Sequence, residues 1–219
     1  MNPFPLVLSS PSGAGKSTIA RALLAAREDL GYSVSATTRQ ARPGEKNGED
    51  YHFLSPEEFE WRIAAGEFVE WTEYSGARYG TLKSEIEGIL GSGRNPVLDI
   101  EIVGARAMRT QYPEAVLVFV VPPSAQELLQ RLGGPTGTRG ASLVARMRRA
   151  VEELNEATRY DYVVVNVDRM DAVAAVSAIL DAERRRPRRN PALEPDLAEL
   201  GREIGALAER LAQGVEAQG

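Results

Sequence analysis

The sequence contains no cysteine and a single histidine, His52. These absences exclude disulfide bridges, thiolate metal sites and thiol catalysis, and they exclude a metal site built from several histidines. The longest apolar run, Val116–Val121, is far shorter than the ~20 residues that a membrane-spanning helix needs. No basic segment precedes the short apolar run at residues 6–9, so no secretory signal is expected. We therefore predict a cytoplasmic protein with no membrane partner.

Lysine is also scarce, with three lysines against 23 arginines. The 31 acidic residues outnumber the 26 basic ones, which gives a formal net charge of −5. This balance argues against binding nucleic acid over the whole surface, so no nucleic-acid partner is predicted. A length of 219 residues with 43% hydrophobic content predicts one globular domain, with room for a small appendage.

Short apolar runs alternate with helical patterns along the chain. The runs at residues 6–9, 96–100, 115–121 and 162–166 predict buried parallel strands covered by helices on both faces, which is an α/β fold. Residues 33–80 interrupt this alternation and predict a strand-and-turn insertion. The glycine-rich stretch 133–142 predicts a loop rather than a helix.

The last segment of the chain has its own pattern. A basic stretch at residues 184–191 predicts a solvated linker. Apolar residues then recur at alternating steps of four and three from Leu193 to Leu211, which predicts an amphipathic helix. Two interpretations stay open: the helix docks on its own domain, or it pairs with a second copy in a homo-oligomer.

A glycine-rich turn lies between the first predicted strand and the first predicted helix. At this place main-chain N–H groups and a helix N-terminus favour a phosphate, a lysine reaches the β and γ phosphates, and a serine can ligate Mg²⁺. The pattern has glycine at its first position, where this chain has serine. The residues of this predicted phosphate loop are Ser10, Pro11, Ser12, Gly13, Ala14, Gly15, Lys16 and Ser17.

The insertion carries groups suited to a second phosphorylated substrate. Arg39 and Arg42 flank a short turn, and Tyr51 follows them. Two guanidiniums and a phenol can hold a phosphate monoester with a geometry that lysines would not give. Carboxylates follow at residues 67–71, and a phenol and a hydroxyl follow at residues 77–81.

These stretches together resemble the guanylate kinase family over roughly residues 4–183, on SPSGAGKST, SVSATTRQARPGE, GEDYHF, EFVEW, YGT, LDIEIVGA, VPPS and VVVN. The resemblance implies a three-layer P-loop NTPase fold with a parallel sheet, a β-rich GMP-binding insertion and a helical lid. It implies transfer of the γ-phosphoryl of ATP to GMP, and to dGMP, with Mg²⁺. The expected divisions are a domain over 1–183 (core 1–34, 82–125 and 150–183; insertion 35–81; lid 126–149) and a tail over 184–219.

The resemblance also assigns expected roles to single residues. The GMP phosphate site falls on Arg39, Arg42, Tyr51 and Tyr79, and the guanine-reading groups fall on Ser35, Glu70 and Thr81. Glu101 contacts the GMP side, Asp99 is catalytic and orders the water ligands of magnesium, and Asn166 contacts the adenine of ATP. The migrating phosphoryl group is neutralised by Lys16, Arg131 and Arg146.

The sequence departs from the family pattern at several positions. Glu101 stands where most members have aspartate, Val103 where they have glutamine, and Pro135 where they have a lid arginine. Arg139, four residues on, could substitute for that arginine if the loop is rearranged, and the sequence leaves this open.

The guanine-reading groups have a chemical rationale of their own. A carboxylate at Glu70 can accept both the N1–H and the exocyclic amine of guanine, while hydroxyls at Ser35 and Thr81 can donate to O6. Adenine offers an unprotonated N1 and no O6, and such a mismatch can be worth ~10⁴-fold in specificity. We therefore expect GMP to be preferred over AMP.

Two alternatives remain beside this interpretation. One is a P-loop kinase of another phosphorylated acceptor, such as a ribose phosphate, which would not need Glu70 and Thr81. The other is a non-catalytic guanylate-kinase-like binding domain, which the intact Gly15-Lys16-Ser17 disfavours.

Overall fold

A computed structural model of the chain describes residues 2–74, 76–134 and 138–216, with side chains as far as Leu211. The strands are β1 (Leu6–Ser9), β2 (Leu30–Tyr32), β3 (Ala36–Thr37), β4 (His52–Phe53), β5 (Phe68–Tyr74), β6 (Ala77–Leu82), β7 (Asn95–Asp99), β8 (Val116–Val121) and β9 (Tyr162–Val165). The helices are α1 (Lys16–Ala26), α2 (Pro56–Ala64), α3 (Lys83–Gly91), α4 (Ile102–Gln111), α5 (Ala125–Gly133), α6 (Gly140–Leu154), α7 (Arg169–Arg184) and α8 (Leu193–Glu216).

Five strands form a parallel sheet in the order β2-β7-β1-β8-β9, which confirms the predicted α/β fold. The chain leaves the central strand β1 toward β2 on one side, whereas β8 and β9 lie on the other side. Ligands of such sheets bind at the carboxyl ends of the strands, next to this change of direction. Leu8 pairs with Asp99, so the ends of β1 and β7 reach that edge together.

The sheet is buried on both faces because successive side chains of a strand point to opposite sides. On one face Leu8 packs in a cluster with Leu23 of α1 and Val176 of α7. On the other face Val7 packs in a cluster with Met108 of α4. The continuous apolar runs in the sequence therefore correspond to the middle of three layers.

The insertion forms a second sheet in the order β4-β3-β6-β5. Its own small core contains Ala36, Phe59, Phe68 and Leu82, and the rings of Phe59 and Phe68 stack at 4.4 Å. In the antiparallel pair of β5 and β6, Glu70 lies opposite Thr81. The register of this pair sets which polar side chains lie together.

The prediction of a loop over residues 133–142 is wrong at both ends. Helix α5 extends to Gly133 and α6 already begins at Gly140. The two helices share an apolar cluster, which stabilises them beyond what the glycine content suggests. The cluster contains Leu128, Leu132, Leu143, Met147 and Ala150. Pro135 lies outside the described residues.

The chain divides into two compact units, Pro3–Leu180 and Met1–Asn2 with Asp181–Gly219, and α7 crosses this boundary. In the second unit Arg189 is only 3% exposed and pairs with Glu183 at 3.0 Å. The prediction of a solvated linker is therefore wrong for this arginine, since a buried guanidinium requires a paired carboxylate.

The predicted amphipathic helix is present as α8. Its apolar side chains Leu197, Leu200, Ile204, Leu207 and Leu211 are each exposed by half or more. Among the described residues, no helix combines the length and the apolar character that crossing a bilayer requires.

Candidate active site

The turn between β1 and α1 folds into a loop with main-chain donors. Gly13 and Gly15 have φ angles of +86° and +97°, a region that favours glycine. A Cβ atom on Gly13 would lie 2.7 Å from a methyl of Leu132, and one on Gly15 would lie 2.5 Å from the Asn166 amide. Helix α1 begins at Lys16, so its unpaired N–H groups point at the loop. A cavity of about 740 Å³ opens over this anion-favouring surface.

Lys16 lies in a mixed electrostatic environment at the floor of this cavity. Burial lowers the pKa of its ammonium group, whereas the nearby carboxylates of Asp99, Glu101, Glu153 and Glu70 act in the opposite direction. The lysine is thus placed to donate to an anion beside several acidic oxygens. This combination suits a phosphate that arrives with a cation.

The acidic pair after β7 divides between two environments. Asp99 ends the strand and accepts a hydrogen bond from the Tyr32 hydroxyl at 3.2 Å. Burial, followed by the charge of Asp99, raises the pKa of Tyr32, which keeps the phenol protonated as the donor. Glu101 immediately precedes α4, and its side chain is largely exposed. Asp99 is therefore held in place, and Glu101 can turn toward a ligand.

A second cavity of about 490 Å³ lies beside the small sheet and is lined by Ser35, Glu70 and Tyr79. The Thr81 hydroxyl is buried and donates to Glu70 Oε1 at 2.7 Å. Burial raises the pKa of Glu70, and the Thr81 hydrogen bond acts against that shift. Because a hydroxyl has one proton, Thr81 orients Glu70 in this arrangement, and Ser35 keeps a donor for the cavity.

A third cavity of about 540 Å³ is lined by Arg39, Arg42, Tyr51 and Tyr79. Glu45 holds Arg39 through two hydrogen bonds of 2.9 Å and also accepts from the Arg42 main chain at 2.7 Å. These contacts, led by the hydrogen bonds from Arg39, lower the pKa of the half-buried Glu45 carboxyl to about 2. The Arg39 guanidinium is therefore oriented by a carboxylate that the sequence analysis did not single out.

Helices α5 and α6, which cover most of the predicted lid, contribute arginines at two different places. Arg146 of α6 donates to the Thr138 hydroxyl at 2.8 Å and to the Ser12 hydroxyl at 2.5 Å, so it lies against the phosphate loop. Arg131 of α5 donates to the Ala14 carbonyl at 3.3 Å and to the Asn166 carbonyl at 3.2 Å. Arg146 lines the first cavity, whereas Arg131 supports the loop from outside it.

The phosphate loop, the carboxylate-lined cavity and the arginine-lined cavity are thus contiguous. A family model described as guanylate kinase matches residues 2–183. The chain belongs to the guanylate kinase family. The resemblance found in the sequence and the prediction of a kinase are confirmed.

Individual guanylate kinases match over most of their length. The enzyme of Symbiobacterium thermophilum is 49% identical over 205 residues, which covers 93% of this chain and 95% of that one. The enzyme of Rubrobacter xylanophilus is 50% identical over 163 residues, which covers 74% and 85%. A crystal structure of guanylate kinase from Anaplasma phagocytophilum has a TM-score of 0.71 at 36% identity and covers 88% of this chain and 92% of that one.

Several residues that the guanylate kinase pattern points to do not line any of the three cavities described above, Asn166 and Arg139 among them. Asn166 is 7% exposed, and its amide donates to the Ala14 carbonyl at 2.7 Å, so it braces the loop. Arg139 is exposed at the start of α6 and is not among the described residues that line the first cavity. Their expected roles in adenine contact and in lid charge stay predictions.

The sequence analysis missed several residues that line the site of this guanylate kinase family member, among them Tyr32, Glu45, Glu153 and Arg149. Glu45 could have been predicted from the sequence, because it is a carboxylate in the turn that follows two arginines. Arg149 could also have been predicted, since it follows Arg146 by three residues on a predicted helix and therefore lies on the same face. Tyr32 and Glu153 reach the site only through tertiary packing.

Proposed function

We propose that the protein phosphorylates GMP, and dGMP, with the γ-phosphoryl group of ATP, giving GDP (or dGDP) and ADP. One observation carries this proposal: the phosphate-loop cavity and the Glu70 cavity meet. The residues that line both are Lys16, Ser17, Tyr74, Glu101 and Arg149. Two phosphorylated substrates can therefore approach each other at the loop lysine.

The base of the acceptor is selected by Glu70 and Ser35. The Glu70 carboxylate accepts the N1–H and the exocyclic amine of guanine, and Ser35 donates to O6. Thr81 holds Glu70 at 2.7 Å, which fixes the orientation of the reading carboxylate. These groups face the base and not the sugar, so a missing 2′-hydroxyl leaves recognition intact and dGMP is accepted.

The phosphate of the acceptor is held by Arg39, Arg42, Tyr51 and Tyr79 around the third cavity. Arg39 is already oriented by Glu45, so it loses less conformational freedom on binding than an unpaired arginine would. An oxygen of this phosphate then forms a bond to the γ-phosphorus of ATP. The bond from that phosphorus to the β–γ bridging oxygen breaks, and its electron pair leaves with ADP.

Transfer of this kind depends on position and on charge neutralisation more than on a strong base. Lys16 donates to the phosphates at the helix N-terminus, and Arg146 contacts the loop at Ser12 Oγ, 2.5 Å away, beside the same phosphates. Arg131 and Asn166 hold the Ala14 carbonyl, which keeps the loop in shape. The contact of Asn166 with adenine remains a prediction.

Mg²⁺ is the proposed cofactor. The described residues include no group of three or more His, Cys, Asp or Glu side chains that could hold a metal ion. Magnesium usually takes one or two protein oxygens together with substrate phosphates, so the residues present fit it. Ser17 would ligate it directly and Asp99 through water; when bound, it neutralises phosphate charge.

A coupled assay of ADP release tests this function directly. ATP is supplied with GMP, dGMP, AMP, UMP or ribose 5-phosphate in parallel. We expect turnover with GMP and dGMP at least about 10²-fold above AMP. Turnover of a ribose phosphate alone would favour the alternative kinase, and binding of GMP without turnover would favour a non-catalytic domain.

The localisation of the protein in the cytoplasm stays a prediction.

We further propose that α8 pairs with a second copy of the chain in antiparallel orientation. The apolar positions are symmetric in sequence: Leu197 would meet the partner's Leu207, and Leu200 would meet the partner's Ile204. Asp196 would lie beside the partner's Arg210, whereas a parallel pair would place no opposite charges there. Glu203 facing the partner's Glu203 keeps the expected affinity modest.

The oligomer is tested by light scattering over a concentration series, with the full chain beside a chain that ends at Asn190. The full chain should approach twice its monomer mass, and the shortened chain should remain a monomer. Leu200→Glu in the full chain serves as a second variant, because it charges the centre of the face. Equal masses for all three would rule out pairing through α8.

A further inference from the structure

Arg149 lies at the junction of the donor and acceptor cavities. It follows Arg146 by three residues on α6, so both side chains project from one side of the lid helix. It lines the phosphate-loop cavity and also the cavity of Glu70. Among the described lid residues, Arg146 lines the first cavity but not the second. Arg149 is therefore the lid cation that faces both substrates.

Two carboxylates hold the Arg149 guanidinium. Its Nη2 lies 2.7 Å from Glu101, and its Nε lies 2.8 Å from Glu153 Oε1. The other oxygen of Glu153 lies 3.4 Å from the main-chain N–H of Ser12 in the phosphate loop. A carboxylate thus stands at a donor that would otherwise serve a phosphate, and the arginine is bound to that same carboxylate.

The Glu101 contact of Arg149 can be exchanged for phosphate at little cost, whereas Glu153, whose side chain is only 14% exposed, loses more when the arginine leaves. The guanidinium is about half exposed, and Glu101 is 66% exposed, so the ion pair between them is weak. A guanidinium binds a phosphate with two parallel hydrogen bonds, a geometry that lysine lacks. A triphosphate that reaches the Ser12 N–H would compete with Glu153 for both partners.

We propose that Arg149 is a further catalytic residue, which moves from Glu101 and Glu153 onto the phosphoryl group in transfer. This proposal rests on the proposed function. The guanidinium donates to oxygens of the γ-phosphoryl while the bond to the acceptor oxygen forms and the bond to ADP breaks. It stays protonated throughout and transfers no proton. Glu101 and Glu153 hold it beside the transfer point before the substrates arrive.

The main experiment compares Arg149→Ala with Arg148→Ala, its exposed neighbour on the same helix. Arg148 lines none of the three cavities described above, so it controls for lost helix charge. We expect kcat of the Arg149 variant to fall by about 10²- to 10³-fold, as for other arginines that contact a phosphoryl in transfer. The dissociation constants of ATP and GMP, measured by calorimetry, should change by less than about fivefold.

Two further variants separate catalysis from a structural role. Arg149→Lys keeps the charge and a partner for Glu101 but lacks the paired donors, so its kcat should stay at least about tenfold below wild type. Glu101→Gln should lose less than Arg149→Ala, and the double variant should lose more than Glu101→Gln alone. If the Arg149→Ala variant does not fold, the Arg149→Lys variant tests the proposal, and a kcat at least about tenfold below wild type is the expected result.

Three results would overturn the proposal: equal kcat for the Arg149→Ala and Arg148→Ala variants, full activity in Arg149→Lys, or a Glu101→Gln loss as large as that of Arg149→Ala with no further loss in the double variant. The last would mean that Arg149 acts through Glu101. A wild-type protein that does not convert GMP would instead contradict the proposed function, so the two failures are distinguishable.

Discussion

The donor side of the site is built from main chain, and the acceptor side is built from side chains. Around the phosphate loop the shape comes from two left-handed glycines and the start of α1. Around the acceptor cavities the shape comes from paired side chains, Thr81 with Glu70 and Glu45 with Arg39. In the proposed function the main-chain donors bind phosphate, whereas Glu70, held by Thr81, recognises the base. Selectivity therefore belongs to the acceptor side.

The largest expected effect comes from removing the lysine of the phosphate loop. Lys16→Met should lower kcat by at least about 10³-fold, because no other donor replaces the ammonium group at the phosphates. The loss should be the same for GMP and dGMP, which is measured by ADP release. Lys46→Met, an exposed lysine paired with Glu49, is the matched control. A loss that differed strongly between acceptors would contradict the separation of the two sides.

A smaller effect is expected on the acceptor side, and it should depend on the base. Glu70→Ala removes the group that accepts two guanine N–H donors, so kcat/KM for GMP should fall by about 10²- to 10³-fold. The value of kcat/KM for AMP should change far less, so the preference for GMP over AMP should become smaller. Glu87→Ala, an exposed glutamate of α3, serves as control. An unchanged GMP-to-AMP ratio would show that Glu70 does not read the base.

The pH dependence of kcat/KM for GMP gives a second test of whether Glu70 recognises the base. Burial raises the pKa of Glu70 above its ordinary value of 4.5, so the carboxylate gains its proton at a higher pH than a solvated one. As pH falls through that raised pKa, kcat/KM for GMP should drop by about tenfold per unit. The phosphate of GMP also titrates near ~6, so the Glu70→Gln profile is the reference. Identical profiles would exclude Glu70 as the titrating group.

The smallest effect is expected at the unusual first position of the phosphate loop. The Ser10 hydroxyl donates to the carbonyl of the adjacent Pro11 at 3.0 Å, a local contact that does not bridge the two sides of the loop. Ser10→Gly should therefore change kcat and KM for ATP by less than about threefold. Steady-state kinetics with ATP varied at saturating GMP would measure it. A larger change would mean that the loop shape depends on this side chain as well as on the glycines.

The donor side could be predicted from the sequence because its geometry is local. The spacing from Ser9 to Lys16 is enough to place a loop between a strand and a helix, since glycine positions and a helix start need no distant partner. The alternating apolar strands likewise predicted the parallel sheet.

The acceptor side and the lid were harder to predict because their contacts join distant segments. Tyr32 reaches Asp99 across 67 positions, and Arg149 reaches Glu101 across 48. The early start of α6 is of the same kind, because its apolar residues pack on α5 and override the local glycine content.

The contact between Asn2 and Arg189 has a practical consequence for rebuilding this chain. The Asn2 N–H donates to the Arg189 carbonyl at 2.9 Å, so the first described residue and the segment just ahead of α8 are direct neighbours. In a chain that ends at Asn190, the first and last residues would lie close together in space, and a short glycine-rich peptide could join them. Backbone cyclisation or circular permutation is therefore accessible without disturbing the sheet.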